Sequence, residues 1–185
     1  MGVIGHNRGP SLAEGHSWRL HCWRQARQAL LPVLPMEVLR TRVKRAVDLG
    51  LEYKTYASVR AATGHDVVAF LFSSNALRVT AARVVLPEER MAKLAGVKAG
   101  RIALAVGRVD AAALMQANAV LDAAFDAPEV WAGFGAAGRS IRAALDKVPG
   151  DRVLLVGDTD FERDWCAAGR LAGYLTAERY FGRGV

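Results

Sequence analysis

The chain has 185 residues, of which 52% are hydrophobic, 23% charged and 8% aromatic, with a formal net charge of +7. That balance excludes a disordered chain, a collagen-like repeat and a disulfide-stapled miniprotein, and the length suits one core-bearing domain with an extension. The longest purely apolar run, residues 67–72, is too short to span a bilayer, so no membrane partner is expected.

Residues 1–16 begin with Gly2, Gly5, Gly9 and Pro10 and lack the apolar core of a signal peptide; they read as a flexible arm. Residues 17–64 read as helical. Ser17 caps a helix to about residue 31, which Pro32 and Pro35 end. On it Arg19, Trp23 and Arg27 form one stripe, and Trp18, Cys22, Ala26 and Leu30 another. A second helix over 36–49 carries an expected inward face of Met36, Leu39, Val43 and Val47, and Gly50 stops it. From residue 65 the pattern alternates. Residues 67–72, 101–106 and 152–156 are short apolar runs of the kind found in strands buried on both faces. Helical stretches are expected at 87–94, 110–125, 128–147 and 160–175, with residues 81–86 a candidate fourth strand. The expected fold is α/β: a mainly parallel sheet of three or four strands with helices on both faces, preceded by a basic helical N-terminal region. The boundaries read as an arm (1–16), a basic region (17–64) and an α/β domain (65–185).

Charge is segregated. Residues 1–64 hold ten basic and four acidic side chains, so +6 lies there and only +1 in the remaining 121 residues. A clustered excess favours nucleic acid or another polyanion as partner, while a plain solvated basic surface has the same composition. Residues 46–60 resemble a helix-turn-helix, with Ala46 as the small contact residue, Gly50 in the turn, and Leu49, Leu51, Tyr56 and Val59 as anchors. Lys54 and Ser58 then face outward one turn apart. The candidate nucleic-acid contacts are Arg19, Trp23, Arg27, Arg40, Arg42, Lys44, Arg45, Lys54, Ser58 and Arg60. An ordinary helical hairpin packed on the sheet has the same pattern. Cys22 and Cys166 are lone thiols, as expected of a reducing, cytoplasmic setting. His16, His21 and Cys22 lack a fourth ligand for structural zinc. Oligomerisation stays open.

The sharpest local signal is Gly157-Asp158-Thr159-Asp160-Phe161-Glu162-Arg163-Asp164, four acids at the carboxyl end of an expected parallel strand. Carboxylates there can hold Mg²⁺ or Mn²⁺ for chemistry on phosphates. Thr159 and Glu162 also have the spacing of a capping box, which accounts for most of these acids without a metal.

Gly157-Asp158-Thr159-Asp160-Phe161 resembles the final acidic motif of the PIN and NYN nuclease families. Phe70-Leu71-Phe72-Ser73-Ser74-Asn75-Ala76-Leu77 is similar to the PIN opening motif, a strand ending in Asp-Thr-Asn. The resemblance implies a metal-dependent nuclease site with Asn75, Asp158 and Asp160 as catalytic residues and the two aspartates on the metal. Ser73 stands where the family has its first metal-binding aspartate, and Glu88, Glu89 and Asp110 are the candidates for a mid-chain acid. The same region resembles the haloacid dehalogenase-like hydrolases through Lys147, Gly157, Asp158, Ala167, Ala168 and Gly169. Ser73 there replaces the nucleophile, whose loss abolishes covalent phosphoryl transfer. Three readings follow: a degenerate nuclease, a non-enzymatic DNA-binding regulator, and a hydrolase relic or interaction protein.

Overall fold

The computed structural model describes residues 34–182. Contacts divide the chain into residues 1–39 and 40–185, and the architecture is that of the second unit. The arm, the helix expected over 17–31 and the candidate contacts Arg19, Trp23 and Arg27 lie outside the described residues.

The elements run α1 (Met36–Asp48), α2 (Tyr53–Thr63), β1 (Ala69–Ser73), α3 (Glu88–Ala95), β2 (Gly100–Ala105), α4 (Ala111–Ala117) and β3 (Ala123–Asp126). There follow α5 (Phe134–Leu145), a 3-10 turn (Gly150–Arg152), β4 (Val153–Gly157), α6 (Asp160–Gly169), β5 (Gly173–Thr176) and α7 (Ala177–Phe181). The fold is α/β, with all five strands parallel in the order β3-β2-β1-β4-β5. Central β1 pairs Ala69 with Gly100 of β2 on one side and with Val153 of β4 on the other.

Side-chain alternation builds two cores. Phe70, Phe72, Leu154 and Val156 face Leu94 of α3, Leu114 of α4 and Tyr180 of α7. Leu71 and Leu155 face Ile141 of α5 and Trp165 of α6 on the opposite side. The chain therefore winds outward from β1 beneath α3 and α4, then returns to β4 and winds the other way beneath α5 and α6. The winding reverses between β1 and β4.

Five strands replace the expected three or four, and the reason is local. The helix expected over 110–125 stops at Ala117, because the Asn118 side chain is buried and spent on backbone. Its Oδ1 accepts from the Leu86 N–H at 2.8 Å, and its Nδ2 donates to the Val84 and Leu114 carbonyls at 2.8 and 2.7 Å. Residues 123–126 are thereby released as β3. The same contacts hold residues 81–86 as a loop, with one isolated bridge between Thr80 and Arg83 in place of a strand. The helix expected over 160–175 ends at Gly169, where Arg170 turns left-handed at φ 54° and frees residues 173–176 as β5. α5 begins at Phe134 rather than 128, and the loop before it leaves Trp131 95% exposed.

Ala46, Leu49, Leu51 and Tyr56 share the core of Phe70, so residues 46–56 pack with the sheet. Of the expected inward face of α1, Met36, Val43 and Val47 are exposed and Leu39 is half-buried, while Ala46, and Leu49 just beyond the helix, point in. α5 and α6 meet at a seam of glycines. A Cβ on Gly138 would lie 2.5 Å from the Ala168 carbonyl oxygen, and one on Gly169 2.5 Å from Ile141 Cγ2.

Candidate functional site

The winding reverses between β1 and β4, and open α/β sheets hold ligands in the crevice outside the carboxyl ends of the strands at such a point. β1 leads into Ser73, Ser74 and Asn75; β4 leads into Asp158 and Thr159. Ser73 and Ser74 are fully buried. The Ser73 hydroxyl accepts from the Ala76 N–H at 3.0 Å, and that of Ser74 from the Val106 N–H at 3.0 Å, tying the turn to β2. Ser73, at the end of β1, is thus a turn-forming hydroxyl.

Asn75 and the β4 turn converge on Glu162, which is completely buried. Its Oε1 accepts from Asn75 Nδ2 at 3.0 Å, and its Oε2 accepts from the Asp158 and Thr159 N–H groups at 2.6 and 2.9 Å. Thr159 and Glu162 stand in the capping-box arrangement, while the Thr159 hydroxyl oxygen is itself buried without a hydrogen-bond partner. Gly157 makes room: a Cβ there would lie 2.7 Å from Glu162 Oε2 and 2.7 Å from a Tyr174 ring carbon. The Tyr174 hydroxyl donates to the Thr159 carbonyl at 3.1 Å. Burial, reinforced by the neighbouring Glu162 carboxylate, pushes that hydroxyl up to about 12.

The structure joins Asn75 to the Asp158 backbone through Glu162, and Asp160 takes no part in that contact. Asp160 is fully exposed, 4.0 Å from Arg163 Nη2, and the Asp158 side chain is also exposed. Of the mid-chain acids, Glu88 is exposed in the first turn of α3, and the other two have partners. Asp110 caps α4 through the Ala113 N–H, and Glu89 lies 3.9 Å from Arg78. Among the described residues no three His, Cys, Asp or Glu side chains form a group that could hold a metal ion. The carboxylates open to a cation at this edge are those of Asp158 and Asp160.

The helical pair follows the expected design at its anchors. Leu49, Leu51 and Tyr56 are buried, Val59 packs against them, and Gly50 makes the turn at φ +65°. Lys54 and Ser58 are exposed on α2, as are Arg40 and Lys44 on α1, with Arg42 and Arg60 half-buried. Arg45 is committed to the fold. Its Nε donates to Asp66 Oδ2 at 2.9 Å, Nη1 to the Lys98 carbonyl at 3.0 Å and Nη2 to the Val67 carbonyl at 2.8 Å. Asp66 also accepts from the Tyr56 hydroxyl at 2.9 Å, so one acid joins both helices to β1.

Two groups at the crevice are not among the expected site residues: Tyr174, which β5 supplies, and Arg90 of α3, 3% exposed. The sequence does carry a signal for Arg90. It lies four residues before buried Leu94, in phase with the inward face of its helix. Cys166 is a half-buried thiol that burial pushes up to about 11, which leaves it un-ionised near neutral pH. Among the described residues no helix is long and apolar enough to cross a membrane. Compared with protein-family models, curated proteins and solved structures, the chain matches none.

Proposed function

We propose that this protein binds nucleic acid or a related polyanion through the basic face of α1 and α2, with the parallel sheet as the scaffold that holds the pair. The observation that carries this reading is the division of labour on α2. Thr55 and Tyr56 are buried, while Lys54 and Ser58 stand exposed one turn apart. A helix anchored on one side and polar on the other is the form in which a second helix meets base edges or phosphates. Lys44 on the neighbouring helix extends the positive surface.

The test is binding of a labelled duplex and a labelled single strand across a salt series. Affinity should fall steeply with salt, and Lys44→Ala with Lys54→Ala should flatten that dependence by about one unit of slope per lost phosphate contact. Lys54→Ala with Ser58→Ala should blunt preference between sequences more than overall affinity. An unchanged slope in the lysine variants would overturn the reading.

A degenerate nuclease is the second reading, and the meeting of Asn75 with the Asp158 turn through Glu162 favours it. Mg²⁺ or Mn²⁺ would then sit on Asp158 and Asp160 and raise the melting temperature by mass action, a gain Asp158→Asn should abolish. Identical melting curves with and without metal would remove it.

A further inference from the structure

α3 is a short helix with charge on both faces. Glu88 and Glu89 open it at the end where the helix dipole favours acids, and Lys93 lies in its last turn. Arg90 shares the buried side with Leu94. A guanidinium is ordinarily buried only against a carboxylate or a set of carbonyls, because taking it out of water unpaired costs several kcal/mol. Arg45 obeys that rule with all three nitrogens engaged. Arg90 does not. Its Nε and Nη1 are buried with no hydrogen-bond partner, and its flat face rests on the Phe181 ring, 4.3 Å from the centroid.

The surroundings locate this orphaned cation. Burial and the Arg78 guanidinium hold Arg90 below the ordinary arginine range, and the carboxylates of Glu89 and Asp158 act in the opposite sense. Asp158 is the first residue beyond β4, and Arg78 lies in the turn that follows β1. The Phe181 ring on which Arg90 rests stands 6.0 Å from the ring of Phe72 near the carboxyl end of β1, which sets Arg90 on that side of the sheet. Glu89 is turned to Arg78 at the rim. Asp158 is exposed, where its field is screened by water, whereas Arg90 acts from the interior. A second buried polar atom without a hydrogen-bond partner, Thr159 Oγ1, belongs to the residue between Asp158 and α6, a helix whose ten residues direct their positive end to the same edge.

We propose that the crevice between β1 and β4 is a binding site for a phosphate monoester, with Arg90 as its charged anchor and the Thr159 hydroxyl as a second donor. A dianion with three terminal oxygens suits this set: a guanidinium with unused N–H groups, a free hydroxyl and a helix N-terminus. The site is separate from the basic face of α1 and α2, and its fate does not depend on theirs. Arg90 Nε and Nη1 are buried, so the site opens only by displacing a neighbour, and the Arg78 side chain, about half exposed, is free to give way. The same chemistry is presented by a free mononucleotide and by the 5′ end of a nucleic-acid strand.

Thermal melting of the full chain at matched ionic strength, with inorganic phosphate, a nucleoside 5′-monophosphate or the parent nucleoside, tests the site. Wild type should melt ~5–10 °C higher with the monophosphate at about 100-fold excess over its Kd, and be unmoved by the nucleoside. Arg90→Met should lose that rise and, without ligand, melt no lower than wild type, because an unpaired buried cation has been removed. Oligonucleotides with and without a 5′-phosphate then separate the two sources. Preference for the phosphorylated end assigns the site to strands, and equal binding of both with a response to the mononucleotide assigns it to small molecules. A rise of equal size in Arg90→Met overturns the proposal, since it reports only salting effects. Should that variant fail to fold, calorimetric titration of wild type with the monophosphate decides: saturable heat supports the site, and its absence at 10-millimolar order overturns it.

Discussion

Two buried charged side chains flank the same crevice and are treated in opposite ways. Around Glu162, at the β4–α6 junction, every polar contact is closed: one oxygen takes Asn75 and the other takes two backbone N–H groups. Around Arg90, between α3 and the Phe181 ring, two nitrogens meet nothing that accepts a hydrogen bond. Burial is equal and satisfaction is not. A satisfied buried acid is a fastener, and it explains why an acidic motif at a strand end need not be a metal site. An unsatisfied buried base is the rarer event, and points beyond the protein's own atoms.

The comparison is most exposed to failure at Glu162. Glu162→Ala should cost about 3–5 kcal/mol, read from urea denaturation, because three donors lose their acceptor in a dry place. A cost below about 1 kcal/mol would mean that water reaches the turn and that the junction is not the fastener described. Gly157→Ala attacks the same contact sterically, by setting a methyl against Glu162 Oε2 and Tyr174. A loss of about 1–3 kcal/mol is expected, with the Asp158 and Thr159 amides exchanging faster by NMR. At the other pole, Arg90→Met should leave the ligand-free protein as stable as wild type or more so, a change of opposite sign to the first two.

Tyr174 reports on the Glu162 side by pH. Its hydroxyl is held up to about 12 in the folded protein, above the ordinary value of 10. The unfolded chain therefore releases its proton first, and the stability this group contributes is complete below pH 10 and is lost as pH rises towards 12. Tyrosinate absorbance of Glu162→Gln should show Tyr174 ionising earlier than in wild type, since one negative neighbour has gone. An unmoved titration would leave burial as the whole cause. The smallest effect belongs to the exposed face of α2. Lys54→Ala with Ser58→Ala should change stability by less than about 0.5 kcal/mol while altering nucleic-acid binding.

The sequence discloses what is dense in apolar residues and hides what is short. β1, β2 and β4 stand out as apolar runs because both their faces are covered. β3 and β5 have four residues each, and each continues a helix-like pattern until Asn118 or the left-handed Arg170 interrupts it. The turn around Gly50 is legible because its anchors are large and apolar. The inward face of α1 is not, because small Ala46 and Leu49 win the core over the more conspicuous valines. At the crevice, Thr159 and Glu162 announce a cap. That Asn75, far away in sequence, is held by the same carboxylate depends on β1 and β4 being neighbours, a fact of topology. Arg45 and Arg90 carry the same side chain, and only the tertiary structure separates the clamp from the orphan.

The central position of β1 has a consequence for how the chain comes into being. Its strand of Phe70, Leu71 and Phe72 is among the first parts of the sheet to be synthesised, yet one of its two neighbours, β4, begins only at Val153. Until the ribosome has released that later strand, one long edge of the most apolar segment has no permanent partner. A nascent chain arrested before Val153 should therefore be sticky and protease-sensitive, and one arrested after β5 should not. Closing so large a loop late in synthesis also makes refolding of the complete chain slow for its size, and raises its demand for holdase chaperones during translation.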